Sequence, residues 1–333
     1  MATVSTDPTA VSPPPVGTAR SRGINYLGNL SRVLRDLTGF GTLTFELLQN
    51  ADDAGATRMR IDVGSDALVV FNDAAFSDCG DQEVASDDCL SIAEHGHRCD
   101  FHSFRDVASG DKRDRADTTG AFGIGFTAVY QVADRAELIS SGRRWIIDEM
   151  QPEASRIIET PAQDTEGTTF TLPWARDPDS PFRQRTASAA IGPDDPQRLL
   201  DIFVGALPTA MLFLRHVRDV ELRRDGQKAY HFRREDADEI CEITGGDKPR
   251  QWLMLHGGFA DDAATLRAAF PAKIEDRRRA DVTVAVPLDV DVDGLLCAYL
   301  PTDERSGLPA HINADFYPES DRKHLITEGL HGQ

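Results

Sequence analysis

The order in which two hydrophobic periodicities succeed one another constrains this chain more than any other feature. A helical pattern over about 25–37 is followed by a second around "TFELLQNADDAG", residues 44–55. Alternation then takes over in "TRMRIDVGSDALVVFND", which reads as two strands joined by a Gly-Ser-Asp turn. A helical stretch at about 81–93 leads into a long polar segment, a glycine-rich turn opening another helix, and strands near 136–148, 157–160 and 167–173. That succession lacks the regular strand–helix alternation of a doubly wound parallel fold. It predicts an α+β arrangement, a layer of helices on a mixed sheet.

Residues 174–197 carry four prolines and many charges and read as an exposed connection, followed by a helix over about 197–214. Beyond it, "VRDVELRR", "KAYHFRR", "QWLMLHG", "DVTVAVPLDV" and "GLLCAYLP" are strand-like. The expected division is a flexible leader over 1–22, a first domain over 23–215 and a second, smaller α+β domain over 216–333. Because the chain ends soon after "ESDRKHLI", that second domain is expected to be truncated, part of a larger protein. A length of 333 residues with 40% hydrophobic residues supports two such cores.

The formal net charge of -19 disfavours nucleic acid and anionic membrane as partners, since both attract clustered Lys and Arg. No stretch reaches the roughly 18 apolar residues that span a bilayer, and the N-terminus lacks a signal core, so a cytoplasmic location is expected. Five dispersed cysteines do not resemble a disulfide framework and fit a reducing compartment.

Three features point to chemistry. Glu46, Asn50 and Asp53 fall on one narrow stripe of a helix whose remaining surface is largely apolar, which suggests a cleft; an ordinary solvated face is the plain alternative. Gly120, Gly123 and Gly125 are spaced G-x-x-G-x-G before a helix, which lets backbone amides approach a phosphate or simply permits a tight turn. Cys89, His95, His97, Cys99 and His102 are soft ligands within fourteen residues and could bind Zn²⁺, although the Cys89-to-His95 gap and the absence of a C-x-x-C knuckle count against it.

Taken in order, "ELLQNADDA", "LVVFNDAAF", "SIAEHGHR", "TGAFGIGFTAVYQVAD" and "EGTTFTLPW" resemble the nucleotide-binding boxes of the GHKL ATPases. The resemblance is to the heat-shock-chaperone branch, and within it to the ATP-binding domains of sacsin and its bacterial relatives. It implies a Bergerat-type two-layer sandwich of helices on a mixed β-sheet, with ATP and Mg²⁺ as cofactors. By the same resemblance Glu46 orients or deprotonates the attacking water, Asn50 holds Mg²⁺ and the phosphate oxygens, and Asp53 sits towards the sugar or adenine. Asp73 accepts the adenine amino group and Thr168 bridges to the base through water. Gly120, Phe122, Gly123, Ile124, Gly125 and Phe126 wrap the phosphates beneath a lid over about 94–119, in which Arg98 is a candidate cation. Arg322 and Lys323 match a cation reaching the γ-phosphate from the second domain, with Arg322 in the catalytic role, while Asn313 looks structural. The family pattern is Asp-x-Gly-x-Gly, whereas this chain reads "DAAFS", with Ala75 and Ser77 where glycines are expected.

The implied function is Mg²⁺-dependent ATP hydrolysis driving conformational change on a protein client, with ATP-dependent homodimerisation. The alternatives are a non-hydrolysing nucleotide sensor or scaffold and, less favoured by the acidic charge, an ATP-gated nucleic-acid clamp.

Overall fold

The structure, a computed structural model, describes residues 26–37, 39–106, 125–163, 166–246, 248–269, 279–319 and 323–326. The expected leader over 1–22 lies outside the described residues.

Helix α1 (Tyr26–Asp36) buries Leu30 and Leu34, and α2 (Phe40–Asp53) follows a break at Gly39, whose φ of 75° lies in the left-handed region. Strands β1 (Arg58–Val63) and β2 (Ala67–Asn72) form the expected hairpin. Met59, Ile61, Val63, Leu68 and Val70 point inward at every second position, as a strand covered on one face requires. After two short helices, α3 (Leu90–His95) and α4 (Asp100–Arg105), a 3₁₀ turn spans Gly125–Gln131. Strands β3 (Ala136–Ser140), β4 (Arg143–Ile147), β5 (Ile157–Pro161) and β6 (Thr168–Pro173) complete this part.

Helices α5 (Pro181–Thr186) and α6 (Asp195–Ala210) carry the chain back across the sheet. There follow β7 (Asp219–Arg224), β8 (Gln227–Ala237), β9 (Ile240–Thr244), β10 (Arg250–Gly258), α7 (Ala260–Ala269), β11 (Asp281–Pro287), β12 (Leu295–Ala298), β13 (Leu300–Arg305) and β14 (His311–Ala314).

All of these strands join one 14-stranded mixed sheet in the order β13-β12-β14-β11-β10-β9-β8-β7-β1-β2-β6-β3-β4-β5. This corrects the expected two-layer helices-on-sheet sandwich followed by a separate smaller α+β domain. The molecule is dominated by its sheet, and the strands after residue 216 extend the sheet that β1 and β2 begin. The junction is parallel: β7 lies beside β1 from Arg58↔Asp219 to Val63↔Arg224, reached through the α5–α6 crossover. Periodicity reports which face of a strand is buried but not which strand is its neighbour, so the alternating segments after 216 read the same whether they extend a sheet or start one.

The core is continuous across that junction. Leu43, Ile61, Leu207, Leu222, Trp252 and Leu300 belong to a single buried cluster, and α6 lies against β1, β8 and β13 while packing on α2.

Candidate functional site

Helix α2 carries the polar stripe singled out above. Glu46 is only 6% exposed, amid buried Leu43, Leu47 and Leu48, and Asn50 is half-buried one turn on. An acid that deep is not on a solvated face. Asp53 is held by Arg215, whose Nη2 donates to its Oδ1 at 2.8 Å, and the Arg215 guanidinium also lies over the Tyr299 ring. Its neighbour Asp52, which the stripe does not include, is the more deeply engaged. The buried Asp52 carboxylate accepts the backbone amides of Arg215 at 3.0 Å, His216 at 2.7 Å and Val217 at 3.0 Å. The sequence signal for it was the double acid at a helix end preceding an Ala-Gly, which does not reveal the distant amides.

Asp73 follows β2. Its carboxylate accepts the Thr57 amide at 2.7 Å, the Thr57 hydroxyl at 2.6 Å and the Arg58 amide at 2.9 Å. Burial works to raise the Asp73 carboxyl, and these hydrogen bonds outweigh it, holding the group below its ordinary pKa. Thr168 opens β6 opposite Asn72, so the structure brings Asp73 and Thr168 to the same end of the β2–β6 pair. The Thr168 hydroxyl donates to the Ala74 carbonyl at 2.7 Å and lies 2.9 Å from the Ser140 hydroxyl. Gly167 makes this close approach feasible: with φ of +83°, a Cβ there would lie 2.1 Å from the Asn72 carbonyl oxygen.

Phe126, near the start of the 3₁₀ turn that Gly125 opens, packs in an aromatic group with Phe104, Tyr130 and Phe170. Gly120, Phe122, Gly123, Ile124 and Arg322 lie outside the described residues, as does the second half of the expected lid, 107–119. Arg98 is ion-paired with Asp87 and, at 3.2 Å, with Asp106. The Lys323 carbonyl accepts the Asp303 amide of β13 at 2.7 Å. Asn313 on β14 accepts the Tyr299 amide at 2.7 Å through its side chain, in keeping with a structural part.

A cleft of about 1580 Å³ is lined by residues including Phe104, Arg105, Phe126, Arg143 and Glu149. Glu46, Asn50, Asp73 and Thr168 do not line it, so the cleft and the α2 stripe are separate features.

The Cys/His group is rearranged relative to expectation. His95 and His97 are exposed, and their rings stack with centroids 6.1 Å apart. Cys89, Cys99 and His102 turn inward and are joined by Cys79, which lies outside the segment the sequence pointed to. Burial pushes the Cys99 thiol up, but hydrogen bonds with the His102 backbone and ring and with Cys79 overcome it and bring the thiol to about 6.

Residues 24–157 match the family described as "Sacsin domain". The N-terminal part of the chain is sacsin-like. Human sacsin is 24% identical over 245 residues, covering 61% of this chain and 5% of sacsin. The chain thus spans a small fraction of that relative's length. The family match contains α1 to β4, with Glu46, Asn50, Asp73, Arg98 and Phe126 among its residues, and itself stops short of β6 and Thr168. Among the described residues, no helix is long and apolar enough to cross a membrane.

Proposed function

We propose that this chain binds ATP with Mg²⁺ and hydrolyses it, coupling the nucleotide state to conformational change in a sacsin- or chaperone-like module that acts on a protein client. The supporting observation is Glu46, a carboxylate withdrawn from solvent on α2 with Asn50 one turn away. In this reading Asn50 holds the metal and phosphate oxygens while Glu46 orients the water, so the chain supplies positioning and charge placement rather than covalent chemistry. Asp53, Asp73 and Thr168 serve the sugar and adenine, and Gly120, Phe122, Gly123, Ile124, Gly125 and Phe126 serve the phosphates. Arg98, Arg322 and Lys323 are the candidate cations.

The non-hydrolysing reading has one observation in its favour. A carboxylate offers about four acceptor positions. Three at Asp73 are taken by Thr57 and Arg58, which leaves little to recognise an adenine amine unless the β1 start gives way. Phosphate release from Mg²⁺-ATP by the full chain and by Glu46→Ala, beside an ADP titration of both, tests the two readings. Turnover lost in the variant with ADP binding kept supports hydrolysis; ADP binding without turnover in either selects the sensor; no binding in either overturns both.

A further inference from the structure

Cys79, Cys89, Cys99 and His102 come together from three separate stretches of an irregular segment. Cys79 lies in the loop after β2, Cys89 just before α3, Cys99 just before α4, and His102 on the first turn of α4. Their three sulfurs and one ring nitrogen all lie within 4.8 Å of one another. The His102 Nδ1 is 3.1 Å from the Cys99 sulfur and 3.5 Å from the Cys79 sulfur. Zinc bonds of about 2.3 Å to sulfur and 2.0–2.1 Å to nitrogen, set at tetrahedral angles, put ligand atoms about 3.6–3.8 Å apart. The four atoms already stand near those edges, so small side-chain adjustments would close the tetrahedron.

The surroundings are those of a metal site. His102 is fully buried and its other ring nitrogen lies 3.3 Å from the Val84 carbonyl, the kind of contact that fixes which nitrogen faces a metal. The Cys99 amide donates to the Cys89 sulfur at 3.3 Å, and the Gln82 amide nitrogen approaches the Cys79 and Cys99 sulfurs at 3.9 and 3.8 Å. Such donors favour thiolate over thiol. Cys89 and Cys99 are almost wholly enclosed, beside Phe101 and Trp145.

We propose that Cys79, Cys89, Cys99 and His102 bind one structural Zn²⁺, which fastens the segment between β2 and α4 to the first turn of α4. Three thiolates and an imidazole give a soft, tetrahedral donor set with no position left for substrate, which selects zinc over Mg²⁺ or Ca²⁺ and a structural over a catalytic role. Binding displaces the three thiol protons to solvent and leaves a site of net charge about −1. A disulfide would use two of the three cysteines and strand the third beside His102. The inference does not depend on nucleotide binding.

The test is metal analysis of the full chain after gel filtration, with Cys79→Ser, Cys99→Ser, His95→Ala and His97→Ala alongside. One zinc per chain is expected in the intact protein and in both histidine variants, with loss of most of it in either cysteine variant. Cobalt(II) exchanged into the intact chain should show sulfur-to-metal charge transfer and the intense visible bands of a tetrahedral site, a readout that survives if the cysteine variants fail to fold. A metal-free intact chain with no tetrahedral cobalt spectrum, a disulfide among Cys79, Cys89 and Cys99, or metal lost on replacing His95 or His97 would each overturn the proposal.

Discussion

Asp52 and Val217 stand 165 residues apart in sequence, and the Asp52 carboxylate accepts the Val217 amide at 3.0 Å. With the Arg215 and His216 amides on the same carboxylate, the end of α2 is tied to the start of the run into β7. Replacing Asp52 by Ala strands these amides, at least one of them buried, and is expected to cost on the order of 3 kcal/mol. Thermal unfolding should show a midpoint lower by roughly 5–10 °C. Asp53→Ala removes the Arg215 ion pair but none of these three amide contacts and should cost distinctly less; equal losses would refute the assignment of Asp52 as the main fastener.

Glu46→Ala is expected to lower ATP turnover by about 100-fold or more, the usual contribution of a group that handles the attacking water's proton. Its ADP affinity should stay within a few-fold of the intact chain. An unchanged rate of phosphate release would remove Glu46 from the chemistry.

Gly167 sits against the Asn72–Asp73 backbone at a positive φ. An Ala there must relieve both a left-handed conformation and a 2.1 Å contact, so Gly167→Ala should lose at least about 2 kcal/mol. Denaturant titration measures this directly. An unaltered midpoint would mean that the β2–β6 end yields easily.

His311 gives the fold a pH dependence of definite sign. Burial lowers its pKa below the ordinary 6.5, and its Nδ1 accepts the Leu295 amide at 3.1 Å, which requires the neutral ring. Between the folded and unfolded pKa values the unfolded chain binds the extra proton, so this stability is present above about pH 6.5 and is lost as pH falls through the lower, folded value. The thermal midpoint should therefore fall on going from neutral pH to about pH 5, and His311→Gln should flatten part of that slope. A variant with the intact chain's pH profile would sink the claim.

Much of the local structure was legible in the sequence. The β1–β2 hairpin follows from alternation around a Gly-Ser-Asp turn, and the buried Glu46 follows from its stripe being walled by leucines. The helix expected over 81–93 is shorter and later, because Asp78 and Asp81 bond the Gly80 and Glu83 amides with their own side chains and hold that backbone in turns. The sheet order was not legible, since it is decided by pairing between remote strands. Cys79 escaped notice for a similar reason: ten residues upstream of Cys89, it reaches the cluster only because the chain doubles back.

The position of β6 has a consequence for how this protein can form. It lies between β2 and β3 in the sheet although it follows both in the chain, and β1 gains its second neighbour only from residues 219–224. A nascent chain that has emerged as far as residue 157 therefore holds two hairpin-like pieces with no strand between them. The search for long-range partners makes such a topology slow to assemble and leaves open edges while it waits. The residue at which the family match ends is not a boundary at which this sheet can be cut.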